Sequence, residues 1–312
     1  MKRLANPPLS ASGDVALAQY RQVLHEQEDL AGTSRRNYLS DLRHFAAWYE
    51  AHYARSTSEI TSSQAEFDPQ AITTPTLTSY RSYLQKDLRQ KPNSVNRALV
   101  SLKRYFSWTM QKRIITYDPS NPVKLVGQEE GAPRHLDDQE ERALVAAVTK
   151  EGIIRDRTLI VLLLHTGLRA QEVCQLRQDQ VKLGKRSGTL EVIGKRNKYR
   201  EVPLNATARK VLEEYLSTLP SRTTFLFPSS KTKKTLSERA LGCIVKKYAD
   251  GAKLVDVSPH DLRHRFGYRM AESVPLHRLA QIMGHDSLDT TRLYIQGTKQ
   301  DLQQAVETIA WA

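Results

Sequence analysis

Residues 258–296 read SPHDLRHRFGYRMAESVPLHRLAQIMGHDSLDTTRLYIQ, and the fold turns on how this stretch is organised. Ser258 suits a helix N-cap, Pro259 suits the first helical position, and Asp261 completes an S-x-x-D capping pattern. A helix is therefore predicted to start at Pro259. At 3.6 residues per turn His260, Arg263 and His264 share one face of it. A helix N-terminus attracts anions, and arginine adds a bidentate fork for phosphate oxygens. Gly284 then breaks the chain, His285 follows, and a short helix carries Tyr294 just before Gly297. Basic side chains, an imidazole at a turn and a phenol together suit attack on a phosphate.

The chain around this stretch has 312 residues, 39% hydrophobic and 26% charged, enough for one large or two medium domains with a real core. Its formal net charge is +13 and its pI is near 9.7. A pI above ~9 marks nucleic acid or another anionic surface as the expected partner, against the duller reading of a merely basic protein. The two cysteines, Cys174 and Cys243, form no C-x-x-C, so neither a disulfide framework nor a zinc ribbon is expected. MKRLANPPLS lacks the apolar run of a signal peptide, and the aliphatic run Leu159 to Leu164 falls far short of the ~20 residues that span a bilayer. The expected location is cytoplasmic and nucleoid-associated.

Taken in order, residues 1–13 read as a flexible N-terminus. A weak amphipathic helix is expected from Asp14 to about Leu30, and a stronger one after Thr33 with Tyr38, Leu42, Phe45 and Trp48 at helical spacing. Residues 55–75 read as a long Ser/Thr-rich loop. Helices over 77–88 and 94–110 complete an all-helical unit, the latter with Val95, Leu99, Leu102, Phe106 and Met110 on one stripe. The aromatic residues at this spacing read as core. Arg35, Arg36, Arg97, Lys103 and Arg104 are either a solvated surface or a phosphate-tracking face, and the global charge favours the second. A linker rich in Pro and Gly follows, spanning 114–134.

Asp137 is expected to cap a helix to Lys150, and residues 156–166 form a buried helix ended by Gly167. Thr189 to Ile193 and Tyr199 to Leu204 read as a hairpin whose turn carries Lys195, Arg196 and Lys198. Asn205 and Ser237 open further helices, with a short strand over 225–227 between them, and Thr298 caps a last helix with an apolar stripe. The fold class is mainly α with a small β-sheet.

Singly, each chemical candidate has an ordinary explanation. Arg169 could pair with Glu172 at i, i+3, Lys195 could be a solvated hairpin tip, His285 a helix cap and Tyr294 half-buried core. Gly194-Lys195 is no P-loop, because the remaining frame is missing. Together they supply what phosphodiester exchange without hydrolysis needs. Tyr294 is a nucleophile able to hold the phosphoryl group, Arg169 and Arg263 are cations for the non-bridging oxygens, and Lys195 is an acid for the leaving oxygen. His260 and His285 could orient groups or accept protons.

TGLRAQEVCQL, VIGKRNKYREVPL, HDLRHRFG and IMGHDSLDTTRLYI, in this order and spacing, resemble the tyrosine site-specific recombinases, the family of lambda-type integrases and Xer recombinases. The resemblance is strong over about 135–300. It implies that 14–113 is a helical core-binding (SAM-like) domain and 135–312 the catalytic domain. It implies catalytic roles for Arg169, Lys195, His260, Arg263, His285 and the nucleophile Tyr294, with Glu172 and His264 as supporting residues. Arg265, Gly267, Tyr268 and Arg269 stand where the family often has small residues or Thr, and Gln171 and Met283 also depart from its pattern. Lys198 is a rival to Lys195, whereas Tyr268 lies too close to the H-x-x-R box to rival Tyr294.

What the resemblance implies further is a C-shaped clamp on double-stranded DNA and a 3′-phosphotyrosyl intermediate with a free 5′-hydroxyl. Exchange then passes through a Holliday junction with no metal, nucleotide or other cofactor, because one phosphodiester replaces another. A tetramer on two DNA sites, a dimer per site, is expected, with the final helix docking on a neighbouring protomer and a partner recombinase or accessory protein possible. The expected task is integration, excision or resolution of a mobile element or replicon dimer, without an arm-binding domain ahead of Asp14. The rivals are a type IB topoisomerase, a non-catalytic DNA-binding protein, and a zinc hydrolase using His260, His264 and His285, which Arg263 between two of the ligands disfavours.

Overall fold

Capping side chains set where several helices of this chain begin. The computed structural model describes residues 7–26, 30–53, 66–127, 134–194, 199–220, 223–232, 234–285, 287–292 and 294. The chain divides into two compact units, Met1–Glu130 and Gly131–Ala312.

In the first unit helices α1 (Ala11–Glu26), α2 (Gly32–Trp48), α3 (Thr74–Lys86) and α4 (Pro92–Gln111) surround one aromatic-rich core. α2 runs on into a single π turn, Tyr49–Tyr53. Thr73 caps α3 by accepting from Thr76 N–H at 3.4 Å. α1 lies three to four residues earlier than its expected span, because Ala16, Leu17, Tyr20 and Leu24, rather than Leu30, make the buried face. Tyr20, Phe45, Tyr80, Tyr105 and Phe106 are almost wholly inaccessible, as the helical spacing of the aromatics requires of core residues. Each such ring is worth roughly 1.5–3 kcal/mol of transfer free energy. Met110, expected on the stripe, is 48% exposed, because the buried face of α4 passes through Thr109 instead.

Two expected loops are less free than their composition suggests. Within 55–75, Phe67 and Ile72 are buried in the core, and Phe67 N–H donates to Glu50 Oε1 at 3.0 Å; residues 54–65 lie outside the described set. Within the expected linker, Ile115 and Val123 are buried against the same helices. Asn96 clasps the Val126 backbone from both sides, at 2.7 and 2.9 Å, and Lys103 Nζ donates to Ser120 O at 2.6 Å. Residues 114–127 therefore belong to this unit, and 128–133 lie outside the described residues. A few apolar and clasping side chains outweigh a Pro-rich composition.

The second unit starts with α5 (Asp138–Glu151), whose N-cap Asp137 accepts from Gln139 and Glu140 N–H, both at 2.8 Å, while Glu140 reaches back to Asp137 N–H. α6 (Ile154–Thr166) is buried on most faces and packs against α8 (Ala206–Leu216) and α10 (Pro259–Ala271). Gly167 ends α6 at φ +61°, and a Cβ there would sit 2.3 Å from the Phe266 ring, so glycine is required on both counts. The six-residue α7 (Ala170–Gln175) follows at once.

Strands β1 (Val181–Leu183), β2 (Gly188–Ile193) and β3 (Tyr199–Pro203) make an antiparallel sheet in the order β1-β2-β3. Leu190 pairs with Val202 and Val192 with Arg200. Phe225 makes an isolated bridge to Arg177 in place of the expected strand over 225–227, and Leu226 and Phe227 are wholly buried. α9 (Glu238–Gly251), α11 (Leu276–Met283) and α12 (Asp289–Arg292) complete the described α-helices. The helix expected after Thr298 lies outside the described residues.

Candidate active site

Four breaks in regular structure converge in the second unit: the α6–α7 turn at Gly167, the start of β3, the first turns of α10, and the Gly284 turn after α11. α10 starts as the capping pattern predicts, with the Asp261 carboxylate accepting from Ser258 N–H at 2.8 Å and Ser258 O–H at 2.6 Å. Its first turns direct Arg263 and His264 inward.

Arg263 is buried and makes three hydrogen bonds. Its guanidinium donates to Gly167 O, to Met283 O at 3.0 Å and to His285 Nε2 at 2.9 Å. Burial and the repulsion of Arg169 lower its pKa to about 10, which leaves it charged at neutral pH. Arg169 stands at the N-cap of α7 and donates to Glu172 Oε1 at 3.0 Å and to Gly284 O at 2.6 Å. Its side chain remains 39% exposed, so of the two guanidiniums it is the one open to an incoming anion.

Glu172 is buried and holds this arrangement. It accepts from Arg169 N–H at 2.7 Å as well as from the Arg169 guanidinium. Arg200 adds two further bonds at 2.8 and 2.9 Å. Arg200 also donates to Ile282 O at 3.2 Å, and its guanidinium lies 2.7 Å from where a Cβ on Gly284 would be. Gly284 itself has φ +66°, so the turn accepts no side chain. Arg200 went unrecognised in the sequence among the basic residues of GKRNKYR. One signal was available: Val202 is an apolar strand residue, and Arg200, two positions away, must face the same side.

His285 follows this turn. Arg263 has donors only, so His285 Nε2 is the bare nitrogen, and Nδ1 carries the proton to Thr291 Oγ1 at 2.7 Å. Burial, then Arg263, Arg169 and Arg200, push its pKa down to about 4. Thr291, wholly buried in α12, is a second supporting residue that the sequence did not reveal.

Tyr294 comes just after α12 and is 6% exposed. Its ring stacks on His285 with centroids 6.2 Å apart and 14° between planes, meets Tyr268 edge-on at 5.3 Å, and lies against bare Gly267. The phenol oxygen is 3.0 Å from His264 Nδ1. Burial raises the phenol pKa, while Arg263 and Arg169 pull it back. The phenol and both guanidiniums thus share one electrostatic environment.

His260 is exposed at the first turn of α10 and makes no hydrogen bond among the described residues. Lys195, Arg196 and Lys198 lie outside the described residues. Arg265, one of the departures from the family pattern, donates to Glu141 Oε2 at 2.6 Å and to Asp138, tying α10 to α5. Tyr268 stacks on His135 with centroids 3.8 Å apart. Among the described residues no three His, Cys, Asp or Glu side chains gather as metal ligands.

In the first unit, several expected phosphate contacts have protein partners. Arg97 donates to the buried Asp41 at 2.7 Å, Lys103 holds Ser120 O, and the Arg104 guanidinium lies 5.3 Å from the Tyr38 ring centre. Arg35 donates to Leu30 O at 2.9 Å and Arg36 to Thr33 Oγ1 at 3.4 Å. With Arg21, His25 and Arg43, Arg35 and Arg36 line a hollow between α1 and α2.

Comparison with known proteins agrees with this geometry. A profile of the Phage integrase family matches residues 134–301, and one of the Phage integrase N-terminal SAM-like domain matches residues 17–116. The chain is 30% identical over 302 residues to the tyrosine recombinase XerD of Pseudomonas putida, covering 92% of this chain and 94% of that protein. It is 32% identical over 220 residues to the tyrosine recombinase XerA of Pyrococcus furiosus, covering 69% and 73%. Among solved structures it resembles the XerH site-specific recombinase bound to palindromic difH substrate in a post-cleavage complex, with a TM-score of 0.71 at 21% identity over 98% of this chain and 97% of that one. It also resembles the Tn1549 transposon integrase in complex with transposon right end DNA, with a TM-score of 0.73 at 16% identity over 95% and 99%. At such identities the likeness speaks for the fold, and the sequence matches speak for the family: the chain belongs to the phage integrase family of tyrosine recombinases.

Proposed function

We propose that this recombinase breaks and rejoins DNA strands at specific sites with Tyr294 as nucleophile. The observation that carries the assignment is the Tyr294 ring stacked on His285, whose Nε2 accepts from the Arg263 guanidinium at 2.9 Å. The phenol oxygen attacks a scissile phosphate, a 3′-phosphotyrosyl bond forms, and the 5′-oxygen leaves. Arg169 and Arg263 neutralise charge on the non-bridging oxygens as it spreads in the transition state. His285, kept neutral, orients Arg263, and His260 stands at the open end of α10 where a phosphate would enter. Lys195 supplies the leaving oxygen's proton.

The released 5′-hydroxyl then attacks the phosphotyrosyl link of a partner duplex. A second round resolves the Holliday junction, carried out by a tetramer on two sites with the segment after Thr298 exchanged between protomers. The first unit acts as the core-binding domain and the second as the catalytic domain. Arg35 and Arg36 supply phosphate contacts in the first unit, supported by their place in a hollow with three further basic side chains, Arg21, His25 and Arg43.

The test is Tyr294→Phe on nicked duplexes carrying a candidate site. DNA binding is expected to match the parent in gel shifts, and the covalent protein–DNA adduct is expected to vanish from denaturing gels. An adduct persisting in the variant refutes the assignment.

A further inference from the structure

Two histidines face the Tyr294 ring, and they differ in what each can do. His285 has both nitrogens engaged, Nε2 by the Arg263 guanidinium and Nδ1 by Thr291. To take a proton it would have to release a buried guanidinium and become a cation beside Arg263, Arg169 and Arg200. His264 can take a proton without releasing a guanidinium. Its Nδ1 lies 3.0 Å from the Tyr294 phenol oxygen, and its Nε2 has no hydrogen-bond partner among the described residues. The side chain is half-buried at the position next to Arg263, so the helix that fixes the guanidinium fixes this imidazole too.

We propose that His264 Nδ1 is the base that takes the Tyr294 phenol proton as the phenol oxygen bonds to phosphorus, and that it returns this proton when the link is resolved. The inference rests on Tyr294 being the nucleophile. In cleavage the O–H bond breaks and the oxygen electron pair forms the O–P bond. The P–O5′ bond breaks, and the leaving oxygen takes a proton from the acid, Lys195 in the reading above. His264 ends the step as imidazolium. In rejoining, the 5′-hydroxyl attacks phosphorus and gives its proton to the Lys195 amine, the tyrosyl O–P bond breaks, and the phenolate recovers its proton from Nδ1. One proton enters and one leaves on each side of the exchange.

The relative acidities determine the timing. A phenol ordinarily titrates at 10.0 and an imidazole at 6.5, and burial moves them further apart in this site. The phenol therefore keeps its proton in this hydrogen bond at rest. The proton therefore moves during attack, as general-base catalysis, and not before it. Burial is the main influence keeping His264 uncharged; Arg263, His260 and His135 act with it and Asp261 against it. His285 and Tyr294 face it from the C-terminal turn.

The test uses the whole chain. With ¹⁵N-labelled histidine, NMR is expected to show His264 as the Nε2–H tautomer, with an Nδ1 signal that moves on Tyr294→Phe; an Nδ1–H tautomer overturns the proposal. Single-turnover adduct formation is then measured on a pool of nicked duplexes of random sequence. His264→Asn, which places a carboxamide near Nδ1 with nothing to titrate, is expected to bind the pool like the parent and form adduct about 10²-fold or more slowly. Imidazole in the buffer is expected to restore part of the rate of His264→Ala. A His264→Asn rate within about threefold of the parent, or a slow His264→Ala that imidazole does not rescue, overturns the proposal. Absence of adduct from the parent itself would instead count against Tyr294, and the tautomer would still report on His264.

Discussion

Arg200 meets Glu172 through both ends of its guanidinium, at 2.8 and 2.9 Å, and so ties β3 to α7, at whose N-cap Arg169 stands. The bridge is buried, with side-chain exposures of 14% and 6%, and Glu172 also receives two bonds from Arg169. Every strong acceptor direction of the carboxylate is filled.

Glu172→Gln is therefore expected to destabilise the chain by about 3–5 kcal/mol at pH 7, because it leaves Arg200 buried against a neutral amide. Burial alone would raise the Glu172 pKa; the bonds and charge of Arg200, with those of Arg169, outweigh it and hold the carboxylate below its usual 4.5. A depressed folded-state pKa contributes stability that is present above 4.5 and lost as pH falls through the lower folded value. The difference in urea midpoint between parent and variant should therefore narrow below pH 4.5. A gap unchanged at pH 3 would show that the ionised carboxylate is not what stabilises the parent.

The part of this site that sequence disclosed is the part built from local chemistry. Ser258, Pro259 and Asp261 fix the start of α10 within four residues, and that start sets the phase that turns Arg263 and His264 inward. Arg200 is fixed instead by strand register, its pairing with Val192, which basic composition cannot reveal. Arg97 meets Asp41 across 56 positions, so helical periodicity could show a basic face without showing that one member serves a buried carboxylate. His285 needed Thr291, whose hydroxyl is placed only once α12 has formed. Composition erred over 114–127, where Asn96 and Lys103 hold backbone that reads as linker.

Gly267→Ala should separate stability from activity. A Cβ there would lie 2.6 Å from the Tyr294 ring, in the middle of a helix with ordinary backbone angles. Alanine gains about 0.5–1 kcal/mol of helix propensity over glycine, against a cost of about 1–3 kcal/mol for overpacking. The melting temperature should fall by a few degrees at most. The phenol, the movable partner, is pushed from its place against His264, so adduct formation should drop at least tenfold with DNA binding retained. A variant that melts like the parent and reacts at the parent rate would mean that the tyrosine is not used in the position seen here.

His285 makes the fold sensitive to mild acid. Its folded-state pKa is pushed down to about 4 by burial and then by three arginines, against 6.5 in an unfolded chain. Between these values the unfolded chain binds a proton that the folded chain refuses, so stability falls as pH drops from 6.5 towards 4 and is independent of this group above 6.5. His285→Gln should flatten that limb of a urea-midpoint profile. His264 and His165 are lowered in the same direction, so part of the slope should remain. A profile equally steep in parent and variant would mean that His285 is not the group being protonated.

Arg265 and Arg269 both reach Glu141, and their burial predicts unequal worth. Arg265 and Glu141 are 11% and 13% exposed at the side chain, whereas Arg269 is 47% exposed. The second partner of Arg265, Asp138, is 71% exposed and adds little. Arg265→Ala removes a charged hydrogen bond from a nearly dry contact between α10 and α5 and is expected to cost about 1.5–3 kcal/mol. The value should lie towards the lower end, because Arg269 remains to serve Glu141. Arg269→Ala should cost about 1 kcal/mol or less, and less still in high salt. The double variant leaves Glu141 with neither arginine, so it should lose more than the sum of the two single changes, a non-additivity that denaturant unfolding of the four proteins measures directly. Simple additivity would show that the two arginines do not share the carboxylate.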